Sequence, residues 1–298
     1  MRSAVRVRWA IIGLALGLLL AGLGGCSALR LAYGQAPGLA YWWLDAYVDF
    51  DGAQTTVVRR GLDDWFAWHR RSEVPTYVAM LERMRSEAVA ETTPARICAW
   101  WDDVQQRRTA ALRQASGAAT ELALLIGPQQ VSHLEREFAK RNAEARDEFM
   151  DENPEERAEA ALKRAVDRAE SLYGALDGEQ RRWLAGELAR SPWNPAGFLA
   201  ERERRQQRIL ALLRPWSVRG GKPAPEVARR EVQQLLDTYY TPPSEAARRE
   251  QAAVREFNCG LFARFHNRTT AEQRSHLAAK FADWAADLRL VQAETVPG

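Results

Sequence analysis

Histidine, lysine and cysteine are scarce in this 298-residue chain. It has four histidines and three cysteines, and its only lysines are Lys140, Lys163, Lys222 and Lys280 among 42 basic side chains. The scarcity limits the available chemistry. There is no His-Glu-x-x-His pair, and neither Cys98 nor Cys259 has a cysteine or histidine at zinc-ligand spacing, so no metal site is expected. Gly-x-Ser-x-Gly, a phosphate-binding loop and a dinucleotide fingerprint are also missing, and no cofactor is expected. Sustained period-two alternation is absent and β-branched residues are sparse, which excludes a sheet-based core.

The amino terminus is rich in the opposite sense. Arg2, Arg6 and Arg8 precede an uncharged apolar stretch, Trp9 to Leu23, that ends in Leu23-Gly24-Gly25-Cys26. Basic residues, about 15 apolar ones and then small residues form a secretory signal. A cysteine directly after the small residues makes it a bacterial lipoprotein signal, with residues 1–25 removed and Cys26 acylated. A plain transmembrane helix is the alternative, but glycines interrupt the stretch and its core is shorter than a bilayer crossing. One acyl chain binds a membrane marginally, whereas two or three hold it firmly. Ser27 after the cysteine favours the outer membrane, facing the periplasm.

Without residues 1–25 the chain carries 39 basic and 39 acidic side chains, so the net charge of +3 belongs to the signal. Nucleic acid is therefore not an expected partner. With Cys26 assigned to lipid, Cys98 and Cys259 remain as an even pair in an oxidising compartment. A disulfide is expected, two separate buried thiols being the alternative.

Residues 26–36 read as a short lipidated tether, 37–290 as a helical domain and 291–298 as a tail. The composition is dominated by strong helix formers, and the starts are legible. Thr93-Pro94, Asn153-Pro154 and Asn194-Pro195 place a capping side chain before a proline, and Pro242-Pro243-Ser244 opens another helix. The spacing predicts an all-α, compact multi-helix bundle of about ten helices, near 38–48, 52–71, 74–91, 94–125, 128–151, 154–175, 178–190, 195–213, 224–239, 243–266 and 270–290, with one or two merged. Arg214 to Pro225 reads as a loop and a possible subdivision.

Four starts share one scheme: Asp51-Gly-Ala-Gln54, Gly127-Pro-Gln-Gln130, Asp177-Gly-Glu-Gln180 and Thr270-Ala-Glu-Gln273. Each is a capping box, with a glutamine three after the cap. Apolar residues follow each glutamine by four and eight: Val58 and Leu62, Leu134 and Phe138, Leu184 and Leu188, Leu277 and Phe281. These starts are similar to the Leu-Thr-x-x-Gln signature of small periplasmic stress chaperones, which are helical and bind unfolded chains. Over the longer range, Tyr33-Gly-Gln-Ala-Pro37, Tyr41-Trp-Trp-Leu-Asp45, Tyr47-Val-Asp-Phe50, Trp65-Phe-Ala-Trp-His-Arg70, Ile97-Cys-Ala-Trp100 and Phe265 to Gln273 resemble a proteobacterial lipoprotein family of uncharacterised function. That resemblance implies a helical, lipid-anchored envelope protein and brings no catalytic residues.

The remaining polar candidates are few. Asp45 and Asp49 share a helix face among Tyr41, Trp42, Trp43 and Tyr47, while His69 and His266 stand where helices end. A helical polar site near Asp45, Asp49, His69 and His266 would suit an envelope hydrolase. The competing reading is an envelope protein that binds, scaffolds or chaperones another protein or an unfolded chain. The aromatics at the amino end either pack α-helices together or sit at the lipid headgroups.

Overall fold

The computed structural model describes residues 28–150 and 153–293; Cys26, the expected signal over residues 1–25 and most of the expected tail lie outside them. Eleven α-helical segments and no strand occur among the described residues. They are α1 (Ala28–Val48), α2 (Gly52–Trp68), α3 (Val74–Glu87), α4 (Pro94–Ala123), α5 (Pro128–Phe149), α6 (Pro154–Tyr173), α7 (Gly178–Leu188), α8 (Pro195–Ser217), α9 (Pro225–Asp237), α10 (Glu245–Asn267) and α11 (Ala271–Ala293). A π-helical turn at His69–Glu73 joins α2 to α3, so ten separate rods result. The expected all-α bundle is what is observed.

The proline-marked starts fold as their chemistry dictates. Thr93 Oγ1 accepts the Arg96 amide at 3.2 Å, Asn194 Oδ1 the Gly197 amide at 3.2 Å and Ser244 Oγ the Ala247 amide at 3.1 Å. Two expectations need correction. Residues 28–36 are not a tether but the first turns of α1, which runs through Pro37. The proline forgoes one helical hydrogen bond, while the preceding turns are held by Tyr33, whose hydroxyl lies 2.9 Å from His69 Nδ1. Likewise 214–225 is not a subdivision. Helix α8 continues through Pro215 because Leu213 and Trp216 are buried in one core with Ala228 and Val232 of α9. The turn that follows needs glycine: Gly220 has φ +78°, and a Cβ on Gly221 would stand 1.8 Å from the Pro215 carbonyl oxygen.

Two hydrophobic cores result. The first gathers Ala123, Ile126, Val131, Leu134, Leu210 and Trp216 with their neighbours. The second gathers Ala88, Val166, Tyr173, Leu184, Phe265, Leu277 and Phe281. The chain passes between them repeatedly. The α2–π–α3 rod, about 54 Å at 1.5 Å per residue, leads toward the second core, where α3 packs along α11. Helix α4, about 45 Å long, returns to the first. Its early Trp100 meets Phe281 edge-on at 6.3 Å, whereas its last residues join Leu210 and Leu213. A Cys98–Cys259 disulfide ties α4 to α10 across 161 residues with Cα atoms 5.4 Å apart. A loop of that size contributes about 5 kcal/mol in the chain-entropy account.

The four glutamine starts have a use beyond capping: they pair across the fold. Gln54 and Gln130 exchange side-chain hydrogen bonds of 2.8 and 2.5 Å. Each glutamine then gives its second amide hydrogen to the turn before its partner's helix, Gln54 to the Leu125 carbonyl at 3.0 Å and Gln130 to that of Asp49 at 2.9 Å. Gln180 and Gln273 repeat the wiring at 2.8 and 3.0 Å, with second bonds to the carbonyls of Arg268 and Ala175. In all four cases the accepting carbonyl stands five residues before the partner glutamine. Each Oε1 also accepts its own cap amide, from Asp51, Gly127, Asp177 or Thr270. Every donor and acceptor of the four amides is thereby filled. Gly127, lacking a side chain, accepts the Gln130 amide on its own carbonyl at 3.1 Å.

Each pair borders one core. The residues four after the glutamines, Val58, Leu134, Leu184 and Leu277, are all buried. Removing Gln130 or Gln273 strands its partner in a buried setting, since Gln54 is only 1 % exposed and Gln180 6 %. Gln130→Ala should cost about 2–4 kcal/mol, because an unsatisfied buried polar group costs about 1–3 kcal/mol and more than one is left. Gln54→Ala/Gln130→Ala should cost less than the sum of the singles by about 1–2 kcal/mol, read by urea unfolding with the disulfide intact. Strict additivity would show that the two side chains do not interact.

Candidate functional site

Asp45 and Asp49 are together at the carboxyl end of α1. Asp45 Oδ1 accepts the Phe50 amide at 2.9 Å, and its carbonyl accepts the Asp49 amide at 2.8 Å. Asp49 is in the left-handed region, φ 59°, which an Asp tolerates better than most residues. That conformation ends α1, and the Asp49 carbonyl serves Gln130. Both residues therefore build the corner that the first glutamine pair clips.

His69 sits in the π turn beneath aromatic rings. It stacks on Trp65 with centroids 4.9 Å apart, and Tyr77 lies 5.5 Å away. His266 is 3 % exposed at the end of α10. Its Nε2 is 2.8 Å from the Ala90 carbonyl, which can only accept, so Nε2 carries the proton and Nδ1 accepts from the Tyr173 hydroxyl at 2.9 Å. Burial pushes the Tyr173 phenol above its ordinary value. Among the described residues, none partners both histidines. The structure thus joins the two aspartates to each other and each histidine to its own tyrosine, rather than all four in one site.

The open clefts lie elsewhere. A groove of about 870 Å³ runs along the middle of α4 past Asp102, Gln105, Gln106, Arg107, Arg113 and Gln114. A smaller one of about 310 Å³ continues between Gln106, Arg107 and the α3 residues Thr76, Met80 and Arg83. Their charged groups are already paired: Asp102 with Arg255 at 2.7 Å, Arg107 with Glu73 at 3.6 Å, Arg113 with Asp237 at 2.8 Å and Asp103 with Arg83. The Arg113 guanidinium holds the Asp237 carboxyl below its usual range. Gln105, Gln106 and Gln114 line the groove, and their side chains make no hydrogen bond to other groups among the described residues. Among the described residues, no three His, Cys, Asp or Glu side chains are grouped to hold a metal.

Three buried carboxylates were not among the sequence candidates: Glu187, which Arg190 and Arg264 pair, and Glu73 and Asp287, each with one oxygen lacking a hydrogen-bond partner. Burial pushes the Asp287 carboxyl above its usual range. Asp287 stands four residues before buried Val291, so helical phase would have placed it inward. His133, three after Gln130, reaches the Ala46 carbonyl at 3.4 Å, a link between α5 and α1.

The fold and its paired corners define an all-α protein built around two glutamine-clipped cores. The chain belongs to the family of unknown function DUF6279, which matches residues 46–223. That span covers the first glutamine pair whole and Gln180 of the second. No curated protein matches the chain, and no solved structure does.

Burial holds both His69 and His266 below the ordinary imidazole value near 6.5. Below that value the unfolded chain binds protons that the folded one refuses, so stability falls as pH drops from 6.5 through the folded values. Thermal unfolding should therefore shift to lower temperature between pH 7.5 and 5.5. NMR titration should find the His266 ring still neutral where a free imidazole is half protonated; half-protonation of His266 at or above pH 6.5 would contradict its burial.

Proposed function

We propose that the protein is a lipid-anchored component of the bacterial envelope, held by acyl chains on Cys26 at the periplasmic face of the outer membrane, whose helical body binds or scaffolds another polypeptide. The anchor is supported by the order of arginines, apolar run and Leu-Gly-Gly-Cys, which lies before the described residues. Ser27 supports the choice of membrane.

The role of the body is carried by the groove along α3 and α4. Its charges are neutralised within the protein, and what it offers to a visitor is a row of uncommitted amides, Gln105, Gln106 and Gln114. A side-chain amide both donates and accepts, which complements a peptide backbone. Proton transfer needs titratable groups poised within reach of a substrate, and the groove's carboxylates are engaged by arginine. The Leu-Thr-x-x-Gln-like starts are not the binding element in this reading, since their glutamines are consumed in the two internal pairs.

One preparation tests both parts: cells labelled with palmitate that express the chain with a photocrosslinking residue at Gln106. The wild-type background should take up label and, on irradiation, give a defined polypeptide adduct. Cys26→Ser should leave an unlabelled precursor still carrying residues 1–25. Labelling of Cys26→Ser would defeat the anchor, and a labelled protein without an adduct at Gln106 would defeat the groove.

A further inference from the structure

Helix α1 is apolar on two sides, and the fold uses only one of them. On the inner side Tyr41 is 7 % exposed and bonds the Thr55 hydroxyl at 3.0 Å, and Tyr33 docks on His69. On the outer side Leu31, Leu39, Trp42 and Trp43 are 48, 63, 66 and 61 % exposed. With Gln35 and Ala46, also exposed, they fall within about 140° of the helix circumference at 100° per residue. Not one residue of this outer stripe is charged, in a chain where 27 % of residues are.

We infer that this outer face lies on the surface of the lipid bilayer, with Trp42 and Trp43 seated at the headgroup level. The inference rests on the proposed anchor for its geometry. Helix α1 begins at Ala28, two residues after Cys26, so an acylated Cys26 brings the first turn of α1 to the membrane. The inner face is fixed to α2, α5 and α11, so the body holds α1 flat and turns the stripe outward. A tryptophan ring has an apolar body with one polar N–H, which suits the boundary between headgroups and acyl chains. A stripe without charge fits that boundary and offers no ion pair to a protein surface as rich in arginine and carboxylate as this one. Among the described residues no helix is long and apolar enough to cross a membrane, and the face lies along the surface in the manner of an interfacial helix. The match to the family begins at Ala46, the last residue of the stripe.

The test uses the full mature protein with phosphatidylcholine vesicles, with and without lipids brominated along their acyl chains, and intact mass to record acylation. Brominated lipid should quench the tryptophan emission of the wild type. Trp42→Phe/Trp43→Phe, which alters two exposed side chains, should show about twofold less quenching. Leu39→Glu, with both tryptophans in place, should lower quenching too by lifting the stripe. Equal quenching in the wild type and the double variant would overturn the inference, whatever the mass shows. An acylated protein whose Trp42 and Trp43 are unquenched would leave the anchor standing and sink the docking. A chain without lipid that is still quenched at those residues would do the reverse. Emission shielded from lipid, together with cross-links between copies through α1, would assign the face to a second copy instead.

Discussion

Four glutamine side chains determine how this bundle is assembled. A helix corner is normally free to splay, because its cap satisfies only local amides. Here each glutamine uses its oxygen on its own cap and on its partner, and its nitrogen on its partner and on the turn before the partner's helix. The corner α1–α2 is thereby fixed to α4–α5, and α6–α7 to α10–α11. Because one member of each pair is almost fully buried, any rearrangement would leave amide groups dry and unpaired, which costs more than the bonds are worth in water.

The two clipped cores are made one body by covalent and helical crossings. Helix α4 joins the first core with its last turns and touches the second through Trp100 against Phe281, and the disulfide fastens its first turns to α10. Arg255 adds to that seam by reaching Asp102 through both carboxylate oxygens at 2.7 Å. The middle of α4, between the two cores, is where the amide-lined groove opens. His69 with Tyr33 and His266 with Tyr173 are likewise paired across distant helices.

Much of this was legible in the residues. Proline after a capping side chain located the starts of α4, α6 and α8, and the spacing of Val58, Leu134, Leu184 and Leu277 from their glutamines located the inward faces. With Cys26 assigned to lipid, the two remaining cysteines pointed to the bridge. Proline misled in two places. Pro37 and Pro215 look like boundaries, yet Tyr33 and Trp216 have tertiary partners strong enough to carry the helix past them. The glutamine pairing was not legible, although a hint was present: a capping box uses the oxygen of a glutamine and leaves two amide hydrogens beside an apolar face with nothing nearby to receive them. Partners 76 and 93 residues away can be assigned only once the corners meet. The candidate site fared least well, since shared helical phase joins Asp45 to Asp49 but says nothing about which helix end His69 or His266 will face.

The bundle depends on those four amides being sequestered and mutually bonded. The most direct measurement is NMR of the glutamine side-chain NH₂ groups in the folded, oxidised protein. The hydrogens of Gln54, Gln130, Gln180 and Gln273 should exchange with solvent far more slowly than those of Gln105 or Gln114, and should show contacts between Gln54 and Gln130 and between Gln180 and Gln273. Exchange of all four at the rate of exposed glutamines, without contacts across either pair, would contradict it.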